Sequence, residues 1–249
     1  MTRRRVNQRS GWSAGRSVKT GALLGLLGAV VVGVVAWQLQ TSGHLDRSTP
    51  PDRVAIALAC VGEDEVTVTP VVAVLELGTA RPALVPVDPL ATTTIPGTTY
   101  DRVWDAYAFG GGAATASAIS RADLAPQAPA HEVGGHVVVP QAAFQAAIER
   151  SGGLTIDAPS AVSVFTGKRL YTFPEGIIRL SAGEVCEYLK GLPYLADSDR
   201  SEVNRQFADA IAVVLSRDGV DEVEIETDLS TEALAEVRRA LGSTLGDGW

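Results

Sequence analysis

Cysteine is nearly absent: Cys60 and Cys186 are the only two in 249 residues. That count excludes a Cys-x-x-Cys redox motif and a cysteine zinc cluster. Two readings stay open: a disulfide, which an exported protein permits, or two small buried thiols, one on a strand and one on a helix. Acidic residues are missing ahead of Asp46, whereas Arg3, Arg4, Arg5, Arg9, Arg16 and Lys19 crowd the start. No Gly-Lys-Ser or Gly-Lys-Thr follows Gly110-Gly111-Gly112, so those glycines read as a helix-ending turn rather than a phosphate loop. In His131-Glu132-Val133-Gly134-Gly135-His136 the histidines stand five apart, and two glycines break the helix that a zinc-protease motif requires.

What is present begins with an uncharged apolar run of 17 residues, Gly21 to Trp37. It sits at the short limit for a membrane-spanning helix, and flanking residues can extend it. No Ala-x-Ala cleavage site follows Trp37, which favours a retained anchor over a cleaved signal peptide. With the basic residues ahead of the run, the positive-inside rule keeps the N-terminus in the cytoplasm and exports the rest. The expected organisation is a cytoplasmic tail over 1–19, a transmembrane helix over 20–38 and a linker over 39–52. A main extracytoplasmic domain over 53–217 and a strand-helix extension of it over 218–249 follow.

Six of the 21 basic residues belong to the tail, leaving 15 against 29 acidic, so the exported part carries a net charge near −14. Such a surface opposes nucleic acid and anionic lipid headgroups. Any phosphate site in it would depend on a few placed cations.

Apolar β-branched runs at Arg53–Cys60 and Thr69–Leu77 read as strands, and Pro82–Val87 continues the signal. Asp101–Phe109 reads as a short helix with Val103 or Trp104 and Tyr107 or Ala108 inward, and Ala113–Ala122 as a second helix. Strand, helix and strand follow at His136–Pro140, Gln141–Arg150 and Leu154–Ala158. Ser181 opens a helix with a capping box closed by Glu184. A helix over Asp199–Arg217 carries Val203, Phe207, Ala210, Ile211 and Val214 on one stripe. Val223–Thr227 is a strand and Thr231–Leu241 an amphipathic helix. The alternation predicts an α/β layered domain, with a mixed central β-sheet flanked by helices.

Four separated stretches fall in one order. They are Val85-Pro86-Val87-Asp88, Ile95-Pro96-Gly97, the run from Asp101 to Gly111 (DRVWDAYAFGG) and the run from Leu180 to Lys190 (LSAGEVCEYLK) with Arg205-Gln206 beyond it. In that order the chain resembles a divergent member of the LytR-CpsA-Psr family, membrane-anchored enzymes of the bacterial envelope. The resemblance implies transfer of a glycopolymer from a polyprenyl pyrophosphate carrier to peptidoglycan. It also implies an apolar site for the lipid, arginines on the diphosphate and possible use of Mg2+.

Carried over by position, Asp88, Arg102, Lys190, Arg205 and Gln206 become the substrate-binding candidates, with Asp88 and Arg205 the candidates for catalysis. Trp104, Tyr107 and Phe144 become candidates for the lipid pocket. Val87, Leu192 and Glu202 stand where the family places arginines, and Lys190 replaces another. The stretch Val66-Thr67-Val68-Thr69 lacks a carboxylate that the family uses beside the metal. A lysine is a poor substitute where a planar fork is required. Plainer readings stand beside these: Arg205 as a solvated helix charge, Arg102 and Asp105 as a local pair, and Asp88 as a turn residue before Pro89.

The expectation is an anchored extracytoplasmic protein of envelope assembly that binds polyprenyl-(pyro)phosphate-linked glycopolymer, its transferase activity weakened or lost. An active phosphotransferase and a non-catalytic interaction module at the membrane surface are the alternatives.

Overall fold

The computed structural model describes residues 49–62, 65–122, 132–216 and 225–245. The expected cytoplasmic tail, the membrane helix and His131 lie outside them. No helix among the described residues is long and apolar enough to cross a membrane.

A five-stranded sheet forms the centre. Strand β1 (Arg53–Val61) pairs antiparallel with β2 (Thr67–Glu76) and parallel with β4 (Gly135–Pro140). Strand β3 (Ala83–Val87) adds antiparallel to β2, and the two-residue β9 (Glu226–Thr227) adds antiparallel to β4. The sheet is mixed because β1 pairs antiparallel on one edge and parallel on the other, and β1 is buried on both faces.

Successive side chains of β1 point to opposite faces. Val54, Ile56, Leu58 and Cys60 enter one core, with Phe144, Tyr188, Phe207 and Ile211. Ala55 enters a second core on the other face, with Val72, Val74, Val103, Ala106 and Ile119. Helix α1 (Gly111–Arg121) and a 3-10 turn (Val103–Phe109) cover that second face. The first is covered by α2 (Gln141–Arg150), α3 (Ala182–Leu189), α4 (Asp197–Ser216) and α5 (Thr231–Thr244). The layered α/β arrangement with a mixed central sheet is therefore as the alternation of elements predicts.

Three differences bear on function. The short helix expected over Asp101–Phe109 is a 3-10 turn over Val103–Phe109, and it buries Val103 and Ala106. That three-residue spacing is the repeat of a 3-10 helix, so Ala108 faces solvent while Tyr107 is half-buried against Ala57, Ala59 and Val138. Two antiparallel ladders beyond β5 (Leu154–Ala158) went unanticipated: β6 (Val162–Phe165) with β7 (Leu170–Phe173), and β5 with β8 (Gly176–Leu180). Finally, Cys60 and Cys186 form a disulfide joining the end of β1 to α3.

Candidate functional site

The 3-10 turn, the β1–β2 hairpin, β6 and the end of α3 together enclose an open cavity of about 980 Å3. Trp104, Tyr107, Phe109, Val66, Val164 and Phe165 give it apolar walls, and Asp105, Glu65, Ser163 and Lys190 are its polar groups. Tyr107 lines the wall through a fixed hydroxyl, which donates to Glu226 Oε2 at 2.5 Å. Burial and the Glu226 carboxylate push the Tyr107 hydroxyl up to about 12, so it remains a donor. Glu226 Oε1 accepts from the Gly112 N–H at 2.6 Å, at the start of α1. One carboxylate thus ties β9, α1 and the cavity wall together. Gly112 has no room for a side chain, because a Cβ would stand 2.1 Å from the His136 ring.

An ion cluster outside the cavity lining is centred on Arg200, whose side chain is only 8% exposed. Its Nε and Nη2 donate to the two oxygens of Asp88, both at 2.9 Å. Nη2 also donates to Asp197 at 2.9 Å, and Nη1 to the Leu195 carbonyl. This planar fork on a carboxylate is the geometry that distinguishes arginine from lysine. Asp88 also accepts from the Leu90 N–H, the turn expected ahead of Pro89. Burial alone would raise the Asp88 carboxyl. The Arg200 and Leu90 hydrogen bonds and the Arg200 and Arg102 charges outweigh that and hold it below the ordinary carboxylate range.

Arg102 is exposed, and its charge is felt by both Asp88 of the cluster and Asp105 of the cavity lining. Burial raises the Asp105 carboxyl; the Arg102 charge opposes this and that of Asp101 adds to it.

Of the sequence-derived candidates, the structure brings Asp88 and Arg102 near one another, and sets Lys190, Trp104 and Tyr107 on the cavity. Lys190 is held by Glu187, with its Nζ 2.9 and 3.1 Å from the two oxygens. Arg205 is placed elsewhere, on the exposed side of α4 and paired to Glu202 and Asp209. That is the solvated helix charge of the plainer reading. Gln206 exchanges two hydrogen bonds with the Asp157 backbone, which fastens α4 to β5. Phe144 does not line the cavity: it is fully buried in the core beneath β1. Its position on the inward face of α2 leaves it no path to the surface.

Arg200 and Asn204 are the polar residues that motif comparison missed. Both project from the apolar side of α4, on the stripe of Val203, Phe207 and Ile211. Asn204 accepts from the Val72 N–H and donates to the carbonyls of Val72 and Val87, three bonds that clamp β2 to β3. A polar residue at i and i+4 on an apolar stripe was the available signal.

For Mg2+ the residues present do not fit. Both oxygens of Asp88 are occupied by Arg200, and among the described residues no group of three or more His, Cys, Asp or Glu could hold a metal. His136 sits on β4 with its Nδ1 3.3 Å from Asp228, so it is engaged by protein groups.

No family model matches the sequence, and no curated protein matches it. Solved structures do. A LytR-Csp2A-Psr enzyme from Actinomyces oris superposes with a TM-score of 0.50 at 14% identity, covering 78% of this chain and 76% of that one. TagV of B. subtilis gives 0.46 at 15% identity, covering 76% and 79%. TagT, solved bound to LIIa-WTA, gives 0.46 at 16% identity, covering 77% and 75%. The chain has a LytR-CpsA-Psr-like fold.

Proposed function

We propose that this chain is a membrane-anchored, extracytoplasmic protein of envelope glycopolymer assembly that holds a polyprenyl-phosphate-linked glycan in the cavity. The observation that supports this best is the cavity itself. At about 980 Å3 it is at the large end of small-molecule sites. Its apolar and aromatic walls suit a prenyl chain, and Lys190 in the lining and Arg102, whose charge reaches the lining residue Asp105, offer charge for the phosphate. An N-terminal helix over 20–38 would keep the domain beside the lipid it binds.

The same cations argue for weak or absent transfer. Arg200 is occupied by two carboxylates, Lys190 by Glu187 and Arg205 by Glu202 and Asp209. A diphosphate would have to displace the protein's own anions to gain a fork. Of these four, Arg102 alone forms no ion pair among the described residues. An active phosphotransferase remains the second reading, favoured by Arg200, a guanidinium on Asp88 that the missing motif arginines did not lead us to expect.

Binding of polyprenyl phosphate to delipidated protein tests the proposal. Ala108→Trp, at an exposed cavity position, should abolish binding without unfolding the chain. Arg102→Ala should weaken it about 10-fold, the usual loss for one charge-assisted hydrogen bond. Failure of the wild-type protein to bind would remove the reading. Turnover of polyprenyl pyrophosphate that Arg200→Ala abolishes would favour the transferase.

A further inference from the structure

Eight large apolar side chains are left exposed among the described residues, and five of them line this one cavity. Tyr194 is 81% exposed, Phe165 61%, Tyr100 54%, Phe109 44% and Val66 41%, so these are rim residues. A sixth, Leu170, is the cross-strand partner of Phe165 in the β6–β7 hairpin and is equally exposed. Val61 borders the lining residue Gly62. Exposed apolar groups on a monomer are ordinarily scattered; gathered in one patch they mark an interaction surface.

The rim is aromatic. Tyr100 and Phe109 pack together at 5.1 Å, and Phe165 and Tyr194 also line the cavity. Rings with a polar edge are the side chains that settle at a membrane–water boundary. Beside Phe165 and Leu170, the hairpin turn Thr166–Arg169 carries Lys168 and Arg169, two adjacent cations on an otherwise acidic domain. Glu184 feels the Arg169 charge, and Glu65 and Asp105 face the cavity, so acidic groups border this basic turn.

We propose that this rim docks on the outer surface of the bilayer, with Phe165 and Leu170 entering the headgroup region and Lys168 and Arg169 meeting anionic lipid phosphates. The proposal rests on the retained anchor and on the lipid-binding reading of the cavity. The 15 residues from 38 to 52 span at most about 50 Å, so the domain cannot leave the neighbourhood of the membrane. A docked mouth would let a prenyl chain pass from bilayer to cavity without crossing water.

The test uses the full chain in nanodiscs of phosphatidylglycerol and phosphatidylcholine. Both native cysteines are in the disulfide, so Leu170→Cys offers one thiol for an environment-sensitive fluorophore, with Glu236→Cys on α5 as the control. Quenching by brominated lipid at 170 and not at 236 is expected. A blue-shifted but unquenched label at 170 would mean that the patch is covered by residues 21–37 or by a second copy, and would overturn the proposal. An unshifted label would mean open water and overturn it equally. Leu170→Asp, outside the cavity lining, should slow capture of polyprenyl phosphate from vesicles about tenfold yet leave affinity for the detergent-solubilised lipid unchanged. Unchanged capture sinks the docking surface and spares the cavity. Absent binding of solubilised lipid by the wild-type protein sinks the cavity reading, and quenching then decides docking alone.

Discussion

At residue scale, the polar groups on the inward stripe of α4 hold the edge of the sheet. Arg200 is nearly buried and carries charge, so removing Asp88 leaves its guanidinium with Asp197 alone as an ionic partner. Breaking such a pair is costly because a buried charge is left short of compensation. Asp88→Asn should therefore lower stability by about 2 kcal/mol in urea unfolding near neutral pH, less than for a fully buried pair since Asp88 is partly exposed. The pH dependence has a fixed sign. The folded Asp88 carboxyl lies below its ordinary value of 3.8, so its stabilisation is full above that value and is lost as pH falls through the folded one. The wild-type chain should lose stability through that acid range, and Asp88→Asn should flatten the loss. Asn204→Leu tests the neighbouring clamp: three buried backbone groups would lose a partner, and a loss of about 3 kcal/mol is expected. Arg200 was hidden for a physical reason. Its neighbours in sequence favoured anchoring on Arg205-Gln206, yet only the helical period shows which arginine turns inward. Extended backwards from Phe207 and Val203, the apolar stripe arrives at Asn204 and Arg200.

At the scale of elements, the local signals were sufficient wherever burial imposed a clean period. Strand β1, the helix opened at Ser181 and the stripe of α4 are all written in adjacent residues, and Glu184 does reach back to the Ser181 N–H at 2.9 Å. The β6–β7 hairpin was not legible: Val162, Val164 and Phe173 are buried, but Phe165 and Leu170 put large apolar side chains on the exposed face and blur the alternation. The Cys60–Cys186 pairing was not legible, because it depends on where α3 returns across a separation of 126 residues. Closing so long a loop should stabilise the fold by about 3–5 kcal/mol. The double variant Cys60→Ala with Cys186→Ala should melt about 10 °C lower by calorimetry. Cys60 lies two residues before Gly62 and Cys186 one turn before Lys190, so the bond also joins two walls of the cavity. The reduced protein should accordingly bind polyprenyl phosphate more weakly than the oxidised one at a temperature where both are folded.

For the molecule as a whole, the C-terminal piece closes what the rest leaves open. The family-like motifs end at Gln206, and nothing in their spacing says whether the chain beyond residue 217 is an appendage. Strand β9 extends the central sheet at β4, and Glu226 holds Tyr107 against the cavity wall while capping the first turn of α1. Behind it, α5 places Ala233, Leu234, Val237 and Leu241 in the main core, all nearly inaccessible to solvent. Burial of the three larger side chains is worth about 1.5–3 kcal/mol each. Their sum is comparable with the whole net stability of a domain, about 5–15 kcal/mol. A chain ending at residue 217 should therefore fail to fold, giving no cooperative unfolding transition by far-UV circular dichroism. Glu226→Ala keeps that core and removes only the tie to Tyr107. It should unfold cooperatively, with a midpoint near that of the wild-type protein, yet bind polyprenyl phosphate several-fold more weakly. A truncated chain that melts cooperatively would show that β9 and α5 are dispensable. A Glu226→Ala variant that binds as tightly as the wild type would separate the C-terminal strand from the cavity it abuts.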